Sequence, residues 1–335
     1  MKKRPTILDV ARHAGVSKST VSLVLQNSPV VRDTTRRDVE KAMAALNYVY
    51  NRSAAGLRGA ATDLIGLIIN DLRNPFFTEF AASAQMAFAR KGYSTVIANT
   101  DEDPDIQVQV IDSMIEHGVS AFVISPAYDA TPAAFERIER AGIPAMQVLR
   151  QIDPRTDVFP FASLDYATGG AVATQHLIDL GCRHIAFIGG LEDRPITLER
   201  RSGYNQVMAE HQFKTTHLPG RPSRAFGRDA ALELNSHHKS INAVVCFSDL
   251  VALGMLAGFA EIGVQVGSDF RIVGFDDIEE CSLVYPRLSS VRCNTALFGE
   301  DTANAMLDWI VDDKRPPDTQ RYKVDLIARQ SSLGA

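Results

Sequence analysis

The sequence has few cysteines and no long apolar run. Its cysteines, Cys182, Cys246, Cys281 and Cys293, lack the Cys-x-x-Cys spacing of zinc or redox sites. We therefore expect reduced core thiols and no metal. No apolar stretch reaches the roughly 18 residues of a membrane span. Charged residues follow the basic N-terminus where a signal peptide would have its apolar core, so the sequence predicts a cytoplasmic protein without membrane contact.

Sequence patterns of common catalytic sites are also missing. There is no G-x-S-x-G nucleophile elbow. The run "IGG" at 188–190 lacks the remainder of a dinucleotide or phosphate loop. The stretch Asp101–Asp105 begins like a calcium-binding loop, but Ile106 stands where that loop requires glycine. We interpret this stretch as an acidic loop, and we predict neither enzymatic activity nor a cofactor.

Charge is unevenly distributed along the chain. The 335 residues carry a net charge of −5, but residues 1–58 hold eleven Lys and Arg against four Asp and Glu. That segment is therefore +7 and the remainder −12. A compact basic head joined to an acidic body is typical of a protein whose head binds a polyanion.

The basic segment predicts three short helices. Thr6 is a plausible N-cap, with Asp9 completing a capping-box pattern, and Gly15 ends the first helix. A second helix is predicted over Ser17–Leu25 and a third over Asp33–Asn47. Helix, glycine turn, helix, loop, helix is the order of a helix-turn-helix domain, whose second helix enters the DNA major groove.

The second helix predicts one apolar and one polar face. Helical spacing turns Val21, Val24 and Leu25 inward, whereas Lys18, Ser19 and Ser22 share the outer face. A small, hydroxylated and basic outer face lets a DNA backbone and base edges approach closely.

From Leu64 onward, strand-like runs alternate with helical segments. Strands are predicted at "LIGLII", "STVIANT", "AFVISP", "PAMQVL", "HIAFIGG", "AVVCFS" and "RIVGF", and "YKVDLIA" is expected to return the chain to the second lobe. Helices are predicted near Pro75–Lys91, Asp105–His117 and Pro132–Ala141. Such alternation indicates parallel β-α-β units. The predicted fold is α/β, with two doubly wound parallel-sheet lobes and a ligand in the cleft at the carboxyl ends of the strands.

Motifs along the entire chain resemble the LacI/GalR family of transcriptional regulators. They are "TILDVARHAGVSKSTVSLVLQNSP", "NRSAAGL", "IGLIINDLRNPFF", "HLIDLGCRHIAFIGG", "RRSGY", "FSDLVALGML" and "IVGFDD". The resemblance implies a helix-turn-helix head, a hinge helix and a core similar to periplasmic sugar-binding proteins. It implies a homodimeric repressor that binds a palindromic operator in double-stranded DNA. It also implies that a small-molecule effector, most often a sugar, changes the operator affinity.

The resemblance assigns DNA-binding roles to residues of the head. Lys18 and Ser19 take base-reading positions, and Leu23 takes a third at which many members carry Arg. Because Leu offers only apolar contact, for example to a thymine methyl, the operator preference cannot be copied from Arg-bearing relatives. The expected phosphate contacts are Thr6, Ser17, Thr20, Ser22 and Asn27.

The segment after the head resembles the family's hinge helix. Asn51, Ala54 and Leu57 keep the hinge pattern, whereas Ala55 stands where the family often has Arg. The resemblance implies that this helix folds on DNA and inserts Leu57 into the minor groove, which kinks the duplex. The alternative is a plain interdomain linker.

Candidate effector-binding residues follow the predicted strands of the core. Those assigned by position are Asp71, Asn74, Phe76, Ser125 and Arg150. Carboxylates, an arginine and an amide beside a phenyl ring suit a polyol. For the acids, the alternative is a role as helix caps.

Other effector-binding residues are assigned by the resemblance. Arg200 matches the arginine that relatives use on ligand hydroxyl or carboxylate groups, and its alternative is a surface salt bridge. Ser248 stands where many members carry Asn, and Asp276 supplies a hydroxyl acceptor. Leu149 stands where relatives often have an acid and is expected to narrow the range of ligands.

The expected organisation has three parts. They are a head at 1–49, a hinge helix and linker at 50–62, and a core at 63–335 with a first lobe at 63–161 and 293–320 and a second lobe at 162–291 and 321–331. The chain ends without a heptad repeat, so we expect a dimer rather than a tetramer. The other functions considered are a sugar-binding transport protein, disfavoured by the basic head, and an enzyme on the same fold. The effector's identity and the direction of its effect stay open.

Overall fold

The computed structural model describes residues 5–25, 28–48 and 62–334. The chain divides into two compact units, Met1–Thr62 and Asp63–Ala335. Four residues with expected DNA contacts lie outside the described residues: Asn27, Asn51, Ala54 and Leu57. Among the described residues, no helix combines the length and the apolar character needed to cross a membrane.

The head contains three helices, α1 (Ile7–Ala14), α2 (Lys18–Leu25) and α3 (Asp33–Ala45). The predicted capping box of α1 is present, since Thr6 and Asp9 each hydrogen-bond the backbone N–H of the other. The helices meet around Val10, Val21 and Val39, which are fully buried. Burying this cluster stabilises a domain too small to hold a large core.

The second and third helices are slightly shorter than predicted. Ser17 lies outside α2 and caps it, because its hydroxyl accepts a hydrogen bond from the backbone N–H of Thr20 at 3.0 Å. The third helix ends at Ala45, and Asn47 takes a left-handed conformation with φ 48°. Asn tolerates that conformation better than most residues, which explains the early end.

The core alternates strands with helices as predicted. Its strands are β1 (Leu64–Ile69), β2 (Ser94–Asn99), β3 (Ala121–Ile124), β4 (Ala145–Val148), β5 (Phe161–Leu164), β6 (Ile185–Ile188), β7 (His217–Leu218), β8 (Ala243–Cys246), β9 (Arg271–Asp276), β10 (Ser289–Arg292), β11 (Thr319–Tyr322) and β12 (Asp325–Ile327). Its helices are α4 (Pro75–Arg90), α5 (Pro104–Glu116), α6 (Ala133–Arg140), α7 (Tyr166–Asp179), α8 (Pro195–Glu210), α9 (Arg224–His237), α10 (Asp249–Glu261), α11 (Glu280–Leu283), α12 (Thr295–Asp312) and α13 (Gln330–Leu333).

The strands form two six-stranded sheets, one in each lobe. The first sheet has the order β11-β5-β4-β3-β1-β2 and is parallel throughout. The second has the order β12-β10-β9-β8-β6-β7, with only β12 antiparallel to its neighbour. Central strands such as β3 and β8 are buried along their whole length, as expected for parallel sheets covered by helices on both faces. The predicted α/β fold with two doubly wound lobes is confirmed.

The chain crosses between the lobes at three places, and two of them differ slightly from the expected boundaries. The first sheet includes β5, so the first crossing follows Leu164 rather than residue 161. The last crossing follows Tyr322 rather than residue 320, because β11 still pairs with β5. The segment "YKVDLIA" returns the chain to the second lobe as expected: its tyrosine ends β11 in the first sheet, and β12 belongs to the second.

Helices α7 and α8 approach each other closely in the second lobe. A Cβ atom built on Gly203 would lie 1.9 Å from the carbonyl oxygen of Ala167, and one built on Gly170 would lie 2.0 Å from that of Arg200. Both positions therefore need glycine. This contact holds the backbone of α8, and with it Arg200, firmly against the lobe.

Candidate functional site

The outer face of α2 carries the predicted polar side chains. Lys18 and Ser19 are exposed, Ser22 is half-buried and Leu23 is 36% exposed. Val21 and Val24 are buried on the opposite face. The predicted division of this helix into an inner and an outer face is confirmed.

Hydroxyl groups at the start of α2 hydrogen-bond one another. The Ser17 hydroxyl lies 2.7 Å from that of Ser19 and 2.8 Å from that of Thr20. Thr6, in contrast, donates its hydroxyl proton to Asp9 at 2.7 Å within its capping box. The head therefore presents a hydroxylated surface beside Lys18.

A cavity of about 370 Å³ opens between the two lobes of the core. Loops at the carboxyl ends of strands from both sheets line it, as expected for doubly wound folds. Its volume is that of a small-molecule site. Seven of the eight predicted effector-binding residues line the cavity: Asp71, Asn74, Phe76, Arg150, Arg200, Ser248 and Asp276.

Ser125 is the predicted residue that does not line this cavity. Its hydroxyl is fully buried and donates to the side-chain oxygen of Asn70. Asn70 in turn donates to the carbonyl oxygen of Pro126 at 2.7 Å. Ser125 follows β3 as predicted, but its side chain points into the first lobe, where it stabilises the loop.

Arg200 lines the cavity from the second lobe. Its guanidinium donates to the carbonyl oxygen of Phe247 and, at 3.1 Å, to Oδ1 of Asp276. The guanidinium carbon lies 4.0 Å from the ring centroid of Phe275 and 4.8 Å from that of Tyr166. Because the side chain of Arg200 is only 4% exposed, the surface salt bridge considered for it is wrong.

The buried carboxyls near Arg200 resist ionisation. Burial raises the pKa of Asp276 to about 6, although Arg200 acts in the opposite direction. Burial, and then the nearby charge of Asp276, raises the pKa of Asp249 to about 8. Asp249 accepts hydrogen bonds from the hydroxyl of Ser290 at 2.6 Å and the backbone N–H of Ile278 at 3.0 Å. Asp249 thus joins α10 to the sheet behind the cavity.

Arg150 lines the first lobe's wall and forms an ion pair there. Its two terminal nitrogens donate to the two carboxylate oxygens of Glu102 at 2.7 and 2.9 Å. Its guanidinium carbon lies 3.9 Å from the ring centroid of Tyr128. Burial opposes the charge of Arg150, but the neighbouring Tyr128 and Glu102 keep its pKa raised.

Several lining residues are not among the predicted effector-binding residues. Asp101 and Glu102 belong to the stretch that we interpreted as an acidic loop, and both take left-handed conformations. Tyr128, Asp129 and Arg194 lie in loops after β3 and β6. Their position after predicted strands was the available signal, since the ligand in such a fold lies at the carboxyl ends of the strands.

Two buried polar atoms of the second lobe's wall have no hydrogen-bond partner within the described part of the chain. They are Nε of Arg200 and the hydroxyl oxygen of Ser248. Burying such an atom unpaired costs about 1–3 kcal/mol. The described residues contain no cluster of His, Cys, Asp and Glu that could hold a metal ion.

Comparison with known proteins agrees with this arrangement. Residues 6–51 match the model of bacterial regulatory proteins of the lacI family, and residues 174–332 match a periplasmic binding protein-like domain. The chain is 30% identical to the HTH-type transcriptional regulator GalR of Salmonella typhimurium, over 97% of this chain and 95% of that protein. The chain belongs to the lacI family of bacterial regulatory proteins.

Two other known proteins are similar to this chain over nearly its whole length. The ribose operon repressor of Halalkalibacterium halodurans is 28% identical, over 98% of this chain and 97% of that protein. A crystal structure of the lac repressor dimer bound to operator and the anti-inducer ONPF matches with a TM-score of 0.88 and 26% identity, over 99% of this chain and all of that one. The expected resemblance is confirmed, and this family member is a DNA-binding regulator of transcription with a ligand-binding core.

Proposed function

We propose that this lacI-family member is a cytoplasmic, homodimeric repressor that binds a palindromic operator and changes its operator affinity when a sugar occupies the cavity of the core. The cavity carries this proposal, because a chain whose head matches a DNA-binding family also has a small-molecule site lined by both lobes of its core. The chain acts as a binding protein and not as an enzyme, and it uses no cofactor.

The α2 face supports the assignment of the DNA contacts. Lys18 and Ser19 are exposed there and read bases, while Leu23 adds an apolar contact. The hydroxyl groups of Thr6, Ser17, Thr20 and Ser22 contact phosphates, which position the head without specifying sequence. Two heads related by a two-fold axis read the two halves of the operator. The similar lac repressor structure contains a dimer bound to operator, which supports a dimeric DNA-bound form for this chain.

Asn27 and the hinge residues Asn51, Ala54 and Leu57 complete the proposed DNA contacts. Replacing Leu57 by Ala is expected to weaken operator binding by a few kcal/mol, because an apolar wedge that unstacks a base step contributes that order of energy. Binding to an operator and to an unrelated duplex should be titrated with salt, since phosphate contacts give a steep negative slope. Equal affinity of Leu57→Ala and wild type for the operator would contradict the hinge role.

The cavity's chemistry supports a sugar as effector. The carboxylates of Asp71 and Asp276 accept hydrogen bonds from the sugar's hydroxyl groups, and the guanidinium of Arg200 donates hydrogen bonds to those hydroxyl groups. The ring of Phe76 lines the cavity and offers an apolar face of the kind that packs on sugar rings. The ribose operon repressor, similar over its full length, is named for a sugar operon.

A thermal-shift screen tests this part of the proposal. Wild type and Arg200→Lys would be screened against a library of mono- and disaccharides, with nucleobases as the comparison set. Stabilisation of wild type by a saccharide, and less of it in the variant, is expected. A shift produced by nucleobases alone would replace the sugar with another effector class.

A further inference from the structure

Exposure increases along the charged residues of the cavity from its floor to its mouth. The side chains of Arg200 and Arg150 are 4% and 11% exposed, whereas that of Arg194 is 29% exposed and that of Asp129 is 67% exposed. All four line the cavity. Arg194 and Asp129 therefore lie at its rim.

The two rim residues belong to different lobes and form an ion pair across the cleft. Asp129 lies in the loop after β3 of the first lobe, and Arg194 precedes α8 of the second. One terminal nitrogen of Arg194 donates to Oδ2 of Asp129 at 2.8 Å, and the other donates to Oδ1. This two-point geometry is the strongest that an arginine and a carboxylate can form.

Tyr128 connects this pair to the inner wall of the cavity. Its ring centroid lies 5.0 Å from the guanidinium carbon of Arg194 and 3.9 Å from that of Arg150. One aromatic ring of the first lobe thus contacts a cation from each lobe. Separating the lobes would break the ion pair and the contact of Tyr128 with Arg194 together.

A second ion pair between the lobes lies where the chain crosses from one to the other. Arg321 of β11 donates to Glu199 of α8 at 2.8 Å, and also to the carbonyl oxygen of Leu164 at the end of β5. A rotation of one lobe about the crossings displaces residues near the crossings only slightly and residues at the rim much more. Opening the cleft therefore strains the rim pair first.

We propose that Asp129, Arg194 and Tyr128 form a clasp that holds the two lobes together over the ligand and sets the balance between open and closed cores. The role of the clasp rests on the proposed function, because the clasp regulates the closure of the core over an effector. It is a property of the core alone, so it can be tested without DNA and without effector.

The test measures the separation of the lobes in the ligand-free protein. Exposed Glu136 in the first lobe and Glu233 in the second are replaced by Cys and labelled with a dye pair. The four natural cysteines are buried and leave the introduced ones to react. Labelled chain is diluted into excess unlabelled chain, so that each observed dye pair belongs to one protomer. Single-molecule energy transfer then gives the ratio of closed to open cores.

The clasp predicts which variants change this ratio. Arg194→Ala and Asp129→Asn should each lower the ratio of closed to open cores about two- to fivefold, the range expected for loss of a partly exposed pair. The exchanged pair Asp129→Arg with Arg194→Asp should recover most of it. In wild type, 1 M NaCl should have the same effect as the single variants, because it shortens the screening length to about 3 Å.

The control is Arg228→Ala, which removes an exposed two-point pair with Glu261 that stays within the second lobe. This variant should leave the ratio unchanged. An equal shift in the control would show a general charge effect and overturn the clasp. An unchanged ratio in Arg194→Ala, with the fold intact by circular dichroism, would overturn it too. Operator binding of the same variants, measured separately, tests the proposed function independently.

Discussion

Replacing Arg200 by Ala should destabilise the core as well as abolish the effector response. The variant removes the cation that faces Asp276 and the donor to the carbonyl oxygen of Phe247. Breaking one side of a buried ion pair costs about 3–5 kcal/mol, because the remaining charge stays buried without a partner. We expect the lower end of this range at neutral pH, since Asp276 can take up a proton.

The pH dependence of this loss follows from the pKa of Asp276. Burial already raises that pKa to about 6 while Arg200 lowers it, so removing Arg200 should raise it further. A carboxyl whose pKa is raised in the folded state destabilises the protein as the pH rises from the pKa of that carboxyl in the unfolded chain through its pKa in the folded protein. The variant's deficit in the free energy of unfolding should therefore be smaller at pH 5 than at pH 8.

Urea unfolding followed by circular dichroism at pH 5 and pH 8 measures this deficit. Adding Asp276→Asn to Arg200→Ala should recover part of the lost stability at pH 8, because no buried carboxylate remains. Arg228→Ala, which breaks an exposed pair, should change the stability little. A loss below 1 kcal/mol in Arg200→Ala, with no dependence on pH, would refute the reasoning.

Three further predictions concern the core and the head. Because burial raises the pKa of Asp249 to about 8, the contribution of Asp249 to stability should fall as pH rises from about 4 to 8. The melting temperature of Asp249→Asn relative to that of wild type should therefore increase over this range, and a constant difference would contradict the reasoning. Thr6→Ala should destabilise the head by about 0.5–2 kcal/mol, seen as faster amide exchange in α1, and Thr6→Ser should not. Lys18→Ala should change which bases are preferred when operators are selected from a mixture of sequences. A uniform loss of affinity across all sequences would instead make Lys18 a phosphate contact.

Most strands that the sequence reveals rely on apolar burial; β2, whose residues are mostly exposed, is an exception. β1, "LIGLII", is apolar throughout and buried from Ile65 onward. In contrast, β10 is "SSVR", and its Ser289 and Ser290 are fully buried because their hydroxyls bond the carbonyl oxygen of Arg329 and the carboxyl of Asp249. No local pattern could reveal β10, since its partners lie far along the chain.

The cavity was predictable to a similar degree. Residues immediately after apolar strands, such as Asp71 and Arg150, could be placed by topology alone. Glu102 was missed because its role depends on a pairing with Arg150 across two loops. Ser125 was misplaced because position after a strand does not determine which way a side chain points.

The order of strands in the first sheet has a consequence for biosynthesis. β11 completes that sheet by pairing with β5, yet the second lobe's strands β6 to β10 are made in between. In a nascent chain that has just released β5 from the ribosome, β5 is therefore the edge strand of the first sheet, although it is buried along its whole length in the finished protein; such an apolar edge is a template for unwanted pairing. Domains usually fold in the order of synthesis, but here the earlier lobe cannot finish until the later one has almost emerged. Chains truncated before Thr319 should consequently aggregate during translation, even though every other strand of the first sheet is present.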